Sequence, residues 1–504
     1  MFRKILIANR GEIAVRVVRA CRELGIETVA IYSDADRDSL HVRYADEARR
    51  IGPAPSVESY LKMDDVIRIA LEAGAEAIHP GYGFLAENAD FARACRDNNV
   101  VFIGPTPEAT ALMGDKASAR RIAGDVGVPV IPGTEATTSD EEVLESAGGI
   151  GFPLLVKAVA GGGGKGMRVV RKPDDLAAAL TQARSEAASS FGNPSVYLER
   201  FLEKPRHIEF QILADGFGAV VHLLERECSI QRRHQKLVEE CPSPFLDAEL
   251  RSRMGEAAVA VTRRSGYQNA GTVEFLVDSD RNFYFLEMNA RLQVEHPVTE
   301  MVTGVDLVKL QLDVASGGRL ALKQSDIVPR GWAMEFRITA EDPYRNFQPS
   351  PGRITFLRPA GGLGVRDDSG VYTGWEVTPD YDPLIAKLIV WGEDRECCIA
   401  RGLRAVREYR VDGIATTLPF FDWVLQDSNF RNGEMDVEYI DRLWKGPAVG
   451  ASTSSLDQGS GRAALVAAAV TACRAKSKPR IQSGRDGTSP WKQAGLREQL
   501  WGRT

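Results

Sequence analysis

Apolar runs of strand length alternate with stretches of helical periodicity through residues 1–113, and this alternation confines that part of the chain to a mostly parallel sheet with helices on its faces. Ile5-Leu6-Ile7-Ala8 is the first apolar run, and Ile13, Val17, Val18, Cys21 and Leu24 then recur at helical spacing. Glu27 to Tyr32 returns to β-forming residues. A helix is predicted near Met63–Ala73, a strand at Ala77–His79 and a helix near Asn88–Asp97, and Val100 to Pro105 closes the series. The opening residues superficially resemble a signal peptide, but the apolar run is short and Asn9-Arg10-Gly11-Glu12 follows at once, so they read as the first strand.

A chain of 504 residues is too long for one ordinary domain. From Gly114 the pattern changes. A helix is expected around Lys116–Val126, then a strand at Pro153–Val159 running into glycines, a strand at Met167–Val170, a helix at Asp174–Ala188 and a strand at Val196–Glu199. Thr272–Val277 and Asn282–Asn289 read as a hairpin. From about Ala333 to Tyr439 short strands surround a helix near Cys397–Tyr409, the pattern of an α+β domain. Gly450–Arg462 has the Ser/Gly composition of a linker, and an Ala-rich, helix-prone stretch, Ala463–Ala475, follows it.

The net charge of -6 argues against a nucleic-acid binder. No apolar stretch approaches the roughly 18 residues of a membrane span, so the expectation is a soluble, cytoplasmic protein. Seven cysteines without a CxxC pair suit small buried side chains in a reducing compartment.

Four clusters carry chemistry. The first is the loop Ala160-Gly161-Gly162-Gly163-Gly164-Lys165-Gly166-Met167, with Lys157 at the strand end before it. Glycines let backbone N–H groups approach phosphate oxygens and let a lid close. A Walker A loop needs a glycine where Val159 stands and a Ser or Thr where Gly166 stands, so this is not a P-loop. Gly81-x-Gly83-x-x-Ala86 is only a weak mimic of a dinucleotide fingerprint.

The second is the hairpin. With a turn at Ser279–Asn282, Glu274 falls opposite Glu287 on one sheet face, where two like charges repel unless something offsets them. Magnesium held by carboxylates and nucleotide phosphates would do so. The alternative is an exposed hairpin, which the apolar neighbours Phe275, Leu276, Phe283 and Phe285 disfavour. The third cluster, Glu287 to Pro297, packs Asn289, Arg291, Gln293, Glu295 and His296 after a strand, a set able to grip a small oxyanion and supply a general base. A fourth cluster, Gln231-Arg232-Arg233-His234-Gln235-Lys236, supplies cations and donors; alone it fits a solvated face or a weak nucleic-acid patch, and the acidic net charge favours a phosphate site instead.

Together these segments resemble the biotin carboxylase family of the ATP-grasp superfamily. The matching pieces are Ile7 to Ala14, His79 to Leu85, Met113 to Lys116, the glycine loop, Gln231 to Lys236 and Glu287 to Glu300, in order, within a likeness running from residue 1 to about 442. The resemblance implies an α/β and α+β multidomain fold. Its parts are a Rossmann-like N-terminal domain over 1–113, an ATP-grasp domain over 114–332 with a mobile glycine-loop lid over about 131–202, and an α+β C-terminal domain over 333–445, with a linker and tail at 446–504.

It further implies ATP, Mg2+ (or Mn2+), bicarbonate and biotin on a carrier protein. Lys116 and Lys157 would hold phosphates under the lid glycines Gly162, Gly163 and Gly164. Glu199 and Leu202 would meet the adenine, and His207, Gln231 and His234 would lie along the nucleoside. Glu274 and Glu287 would bind the metal, with Asn289 close by. Lys236, Arg291, Gln293 and Val294 would form the bicarbonate site, with Glu295 as base, Arg337 stabilising the biotin enolate and Tyr82 near the biotin ring. Partners would be a biotin carboxyl carrier protein and carboxyltransferase subunits, and family members are often homodimers.

The chain departs from the family at Arg200, where a lysine is common, and at Glu438, where some members carry a histidine. No Met-Lys-Met biotin-attachment context occurs, Leu61-Lys62-Met63 being nearest, so a separate carrier is expected. Other readings are an ATP-grasp ligase joining a carboxylate to an amine, or a catalytically silent subunit. The Arg291–Glu295 cluster with Arg337 opposes the first, and the complete set of charged residues opposes the second.

Overall fold

The computed structural model describes residues 1–134, 137–158, 167–191 and 194–446. The lid glycines Gly162, Gly163 and Gly164, Cys473 and the tail helix expected at Ala463–Ala475 lie outside the described residues.

The alternation at the N-terminus builds β1 (Lys4–Ile7), α1 (Gly11–Glu23), β2 (Glu27–Ser33), β3 (Glu47–Gly52), α2 (Met63–Glu72), β4 (Ala77–His79), α3 (Ala89–Asp97) and β5 (Val101–Phe102). Their parallel sheet has the order β3-β2-β1-β4-β5. β1 is central, and Ile5, Leu6 and Ile7 are fully buried because helices cover both faces. Asn88 caps α3 by accepting from Phe91 N at 2.8 Å.

Next come α4 (Lys116–Asp125), then β6 (Leu154–Ala158), β7 (Met167–Val170), α5 (Leu176–Phe191) and β8 (Val196–Arg200). These three strands form a separate small sheet, β7-β6-β8, with Lys157 on its central strand. Asp115 caps α4 through Ser118 N at 2.9 Å, which fixes Lys116 as its first residue.

The largest sheet contains β9 (Arg206–Ala214), β10 (Val220–Arg232), β11 (Gln235–Cys241), β12 (Asn269–Val277), β13 (Phe283–Asn289), β14 (Trp332–Thr339), β15 (Val365–Ser369) and β16 (Leu384–Gly392). The order is β13-β12-β9-β10-β11-β14-β16-β15. β14 pairs with β11 on one side and β16 on the other, so the sheet runs straight through the 332/333 position and the strands after it extend the same layer. α6 (Arg395–Glu408) packs on β16 and β14. The sequence reading of Cys397–Tyr409 as a helix is two residues short at its start, where Asp394 caps Cys397 N.

Two hairpins fix the site. β10 and β11 join through Arg233 and His234, both at positive φ (51° and 65°), the geometry of a tight two-residue turn, here without glycine. In the β12–β13 hairpin Glu274 pairs with Glu287 as expected, by a different route. Val277 pairs with Phe283, so the loop is 278–282, one residue longer than Ser279–Asn282. A bulge at Leu286 restores the register. Phe275, Phe283 and Phe285 are buried beneath it.

Strands β9 to β11 escaped the sequence reading; β10 and β11 lack a regular alternation and pair with register shifts. Cys21, Cys95, Cys228, Cys241 and Cys398 are buried free thiols, but Cys397 is exposed on α6, contrary to expectation. Among the described residues no helix is long and apolar enough to cross a membrane.

Candidate active site

The site grows from strand alternation. On β9, Ile208, Phe210 and Ile212 point into one apolar core, so His207, Glu209 and Gln211 leave by the opposite face. Register places Glu209 between Arg226 of β10 and Glu274 of β12. Lys236, the cross-strand partner of Gln231, then reaches three carboxylates. Its ammonium donates to Glu274 at 2.9 Å, to Glu295 at 2.7 Å and to Glu209. Arg337 on β14 donates to Glu295 at 2.9 Å and through Nε to Glu239 at 2.6 Å. Gln293 Nε2 donates to Glu274 at 2.9 Å, and His207 Nε2 lies 2.8 Å from the other oxygen of Glu274.

Arg226, with no exposed surface, ties the floor together. It donates to Glu209 at 2.5 Å, Gln211 at 2.7 Å, Thr299 and Gln293 at 3.0 Å and Thr272 at 3.2 Å.

Burial alone would raise the Glu295 carboxyl. The charges of Lys236, Arg337 and Arg226 outweigh it and hold that group below the usual carboxylate range. Glu274 behaves likewise, burial being outweighed by Lys236 and His207. Burial pushes Glu239 up to about 7 despite Arg337, and it raises Glu209 as well. Of the two carboxyl groups paired with Arg337, Glu295 is the one whose surroundings favour the ionised form.

A cavity of about 470 Å³ opens beside this cluster, lined by Tyr82, Gln235, Arg291, Val294, Arg337 and Asp382 among others. Arg291 is oriented by Glu87 at 2.8 Å and by the side-chain carbonyl oxygen of Asn289 at 3.0 Å.

The remaining expected residues form a second zone. Lys116, which is exposed, lies 3.6 Å from the half-buried Glu287. Lys157 and Arg120 both pair with the buried Glu199, a cross-sheet arrangement in which β6 and β8 are neighbours. Leu202 is half-buried just beyond β8, Gln231 is buried, and His234 is exposed at the hairpin tip. The two carboxylates facing each other across β12 and β13 suit a hard divalent cation. Asn289 suits one through its side-chain carbonyl oxygen, which here accepts from Arg291, while its buried Nδ2 has no partner.

Sequence reasoning missed Glu87, Arg120, Arg226, Glu209 and Glu239. The alternation His207-Ile208-Glu209-Phe210-Gln211 was the available signal, a strand with a charged inner face.

Comparison with known proteins gives first the class. Residues 1–110 match the model of the biotin carboxylase N-terminal domain, residues 115–323 that of the ATP-binding domain of the carbamoyl-phosphate synthase L chain, and residues 335–442 that of the biotin carboxylase C-terminal domain. A pyruvate carboxylase subunit of Methanothermobacter thermautotrophicus is 55% identical over 448 residues, 88% of this chain and 91% of the relative. Biotin carboxylase of Nostoc sp. is 54% identical over 445 residues, 88% of this chain and 100% of the relative.

Among solved structures, the biotin carboxylase domain dimer of Hydrogenobacter thermophilus 2-oxoglutarate carboxylase, with MgADP, ADP and bicarbonate, superposes with a TM-score of 0.82 at 48% identity. That match covers 88% of this chain and 97% of the other. The chain belongs to the biotin carboxylase family, and it is an ATP-dependent ligase with that family's three-part architecture.

Proposed function

We propose that the chain carboxylates biotin on a carrier protein, using ATP, magnesium and bicarbonate, as the first half-reaction of a biotin-dependent carboxylase. The observation that carries this reading is the buried Glu295 carboxyl group, paired with both Lys236 and Arg337 beside a cavity lined by Arg291 and Tyr82.

Lys116 and Lys157 exchange their carboxylate partners for ATP phosphates, Glu199 and Leu202 flank the adenine, and His207, Gln231 and His234 lie along the nucleoside. Glu274 and Glu287, with Asn289, hold magnesium, which neutralises phosphate charge. Lys236, Arg291, Gln293 and Val294 position bicarbonate. Glu295 takes its proton, and the freed oxygen attacks the γ-phosphorus as ADP leaves. Carboxyphosphate then splits to CO2 and phosphate, and phosphate removes the N1′ proton of biotin. Arg337 stabilises the enolate while N1′ attacks CO2, with Tyr82 against the ring.

The acceptor we favour for the completed enzyme is acetyl-CoA, delivered through separate carrier and carboxyltransferase subunits in the cytoplasm. The relative from a pyruvate carboxylase supports pyruvate as the second reading. A homodimer is supported by the dimeric biotin carboxylase domain of similar structure. The test is ADP release by the purified chain with magnesium and bicarbonate. Stimulation by free biotin is expected, and its absence in folded, ATP-binding protein overturns the reading. Carboxyl transfer with the cognate carboxyltransferase, assayed with acetyl-CoA and with pyruvate, decides the acceptor.

A further inference from the structure

Behind the cavity a further buried cation is placed where the proposed chemistry has not used it. Lys387 on β16 is the cross-strand partner of Arg337, so both side chains leave the sheet on one face. Its side chain has no exposed surface. The ammonium donates to the carbonyl of Val294 at 2.9 Å and lies 5.9 Å from the centre of the Tyr82 ring. Both Val294 and Tyr82 line the cavity.

The groups around this ammonium are unevenly paired. Asp368, 4.0 Å away, already accepts two hydrogen bonds from Arg366 at 2.7 and 3.0 Å. Arg366 and Arg16 in turn share Glu300. That leaves Glu12 and Glu335. Glu12 Oε1 comes within 3.2 Å of the ammonium without hydrogen-bond geometry, and all four carboxyl oxygens of Glu12 and Glu335 are buried without a hydrogen-bond partner. Burial without a strong donor disfavours the ionised form, although the ammonium beside Glu12 opposes that. Consistent with this, burial pushes Glu12 up to about 7 and Glu335 well above the usual range, in both cases against the opposing charge of Lys387. His296, whose Nε2 is also buried without a partner, is held neutral by burial and by the nearby cations.

We propose that Lys387 is a positioning residue for the reaction in this cavity: it pins the carbonyl of Val294, one residue ahead of Glu295, and places a buried positive charge in the rear wall. The charge favours the anions bicarbonate and carboxyphosphate, and the pinned carbonyl fixes the turn that carries the base. This rests on the reading of Glu295 and its neighbours as the bicarbonate site.

The experiment measures KM for bicarbonate and for ATP in biotin-stimulated ADP release by the full chain. A wild type without bicarbonate-dependent ADP release refutes the underlying reading, not this inference alone. Given that activity, Lys387→Met is expected to raise KM for bicarbonate about tenfold and leave KM for ATP within about twofold. Lys387→Arg keeps the charge and restores most of the loss. Glu335→Gln, which mimics a protonated carboxyl, stays close to wild type. An unchanged KM for bicarbonate in Lys387→Met overturns the proposal, and so does a rise in Glu335→Gln as large as that in Lys387→Met. Should Lys387→Met fail to fold, Lys387→Arg and Glu335→Gln decide the matter. Both near wild type sustain the proposal, and a raised KM for bicarbonate in Glu335→Gln overturns it.

Discussion

In the eight-stranded sheet, Lys236 lies among Glu209, Glu274 and Glu295, and the half-buried Arg337 bridges Glu239 and Glu295, with every one of these carboxyl groups buried. In the three-stranded sheet, Lys157 shares a single carboxylate, Glu199, with Arg120, and both cations keep contact with solvent. Lys116 and Glu287 are more open still. The first region fixes its charges in a network that burial makes costly to break. The second holds cations on partners they can leave, which suits a nucleotide that must enter and depart. Chemistry on a small anion needs the former, and phosphate capture needs the latter.

Equivalent substitutions in the two regions sharpen this contrast. Arg226→Met strips the buried Glu209 of a principal partner and is expected to cost about 4 kcal/mol of stability, measured by urea unfolding. A cost below about 1 kcal/mol would show that the floor is not the rigid element. Lys157→Met should cost less than about 1 kcal/mol, because Glu199 keeps Arg120, yet raise KM for ATP about tenfold in the ADP-release assay. Glu87→Ala frees Arg291 from its orienting carboxylate, and a rise of a few fold in KM for bicarbonate, with KM for ATP unchanged, is expected.

The smallest effect concerns Glu12. Its folded-state value near 7 lies above the usual 4.5, so the protonated carboxyl contributes stability below 4.5 that is lost as the pH rises through about 7. Glu12→Gln should flatten the fall of Tm across that window, and an unchanged slope would show that Glu12 is not the group titrating there.

The N-terminal alternation was readable because helices bury both faces of its sheet, leaving strands such as Ile5 to Ile7 purely apolar. The pairing of Glu274 with Glu287 was readable too, although the longer loop and the bulge at Leu286 were not, since each cancels the other in register. β9 carried a period-2 signal in His207-Ile208-Glu209-Phe210-Gln211 that was passed over, whereas β10 and β11 pair with register shifts and show no regular alternation. The residues missed at the site, Glu87, Arg226 and Glu239, come from elements far apart in sequence. Only register and packing unite them with Glu295 and Arg337. Arg291 was legible as an oxyanion ligand, while its fixing by Glu87, about two hundred positions earlier, was not.

The most direct measurement is ADP release with magnesium and bicarbonate, with and without free biotin, for the wild type and Glu295→Gln. Release that depends on bicarbonate, rises with biotin and falls at least about a hundredfold in the variant is the predicted result. A folded Glu295→Gln protein that keeps biotin-stimulated release near the wild-type rate would contradict Glu295 as the base at the centre of the site.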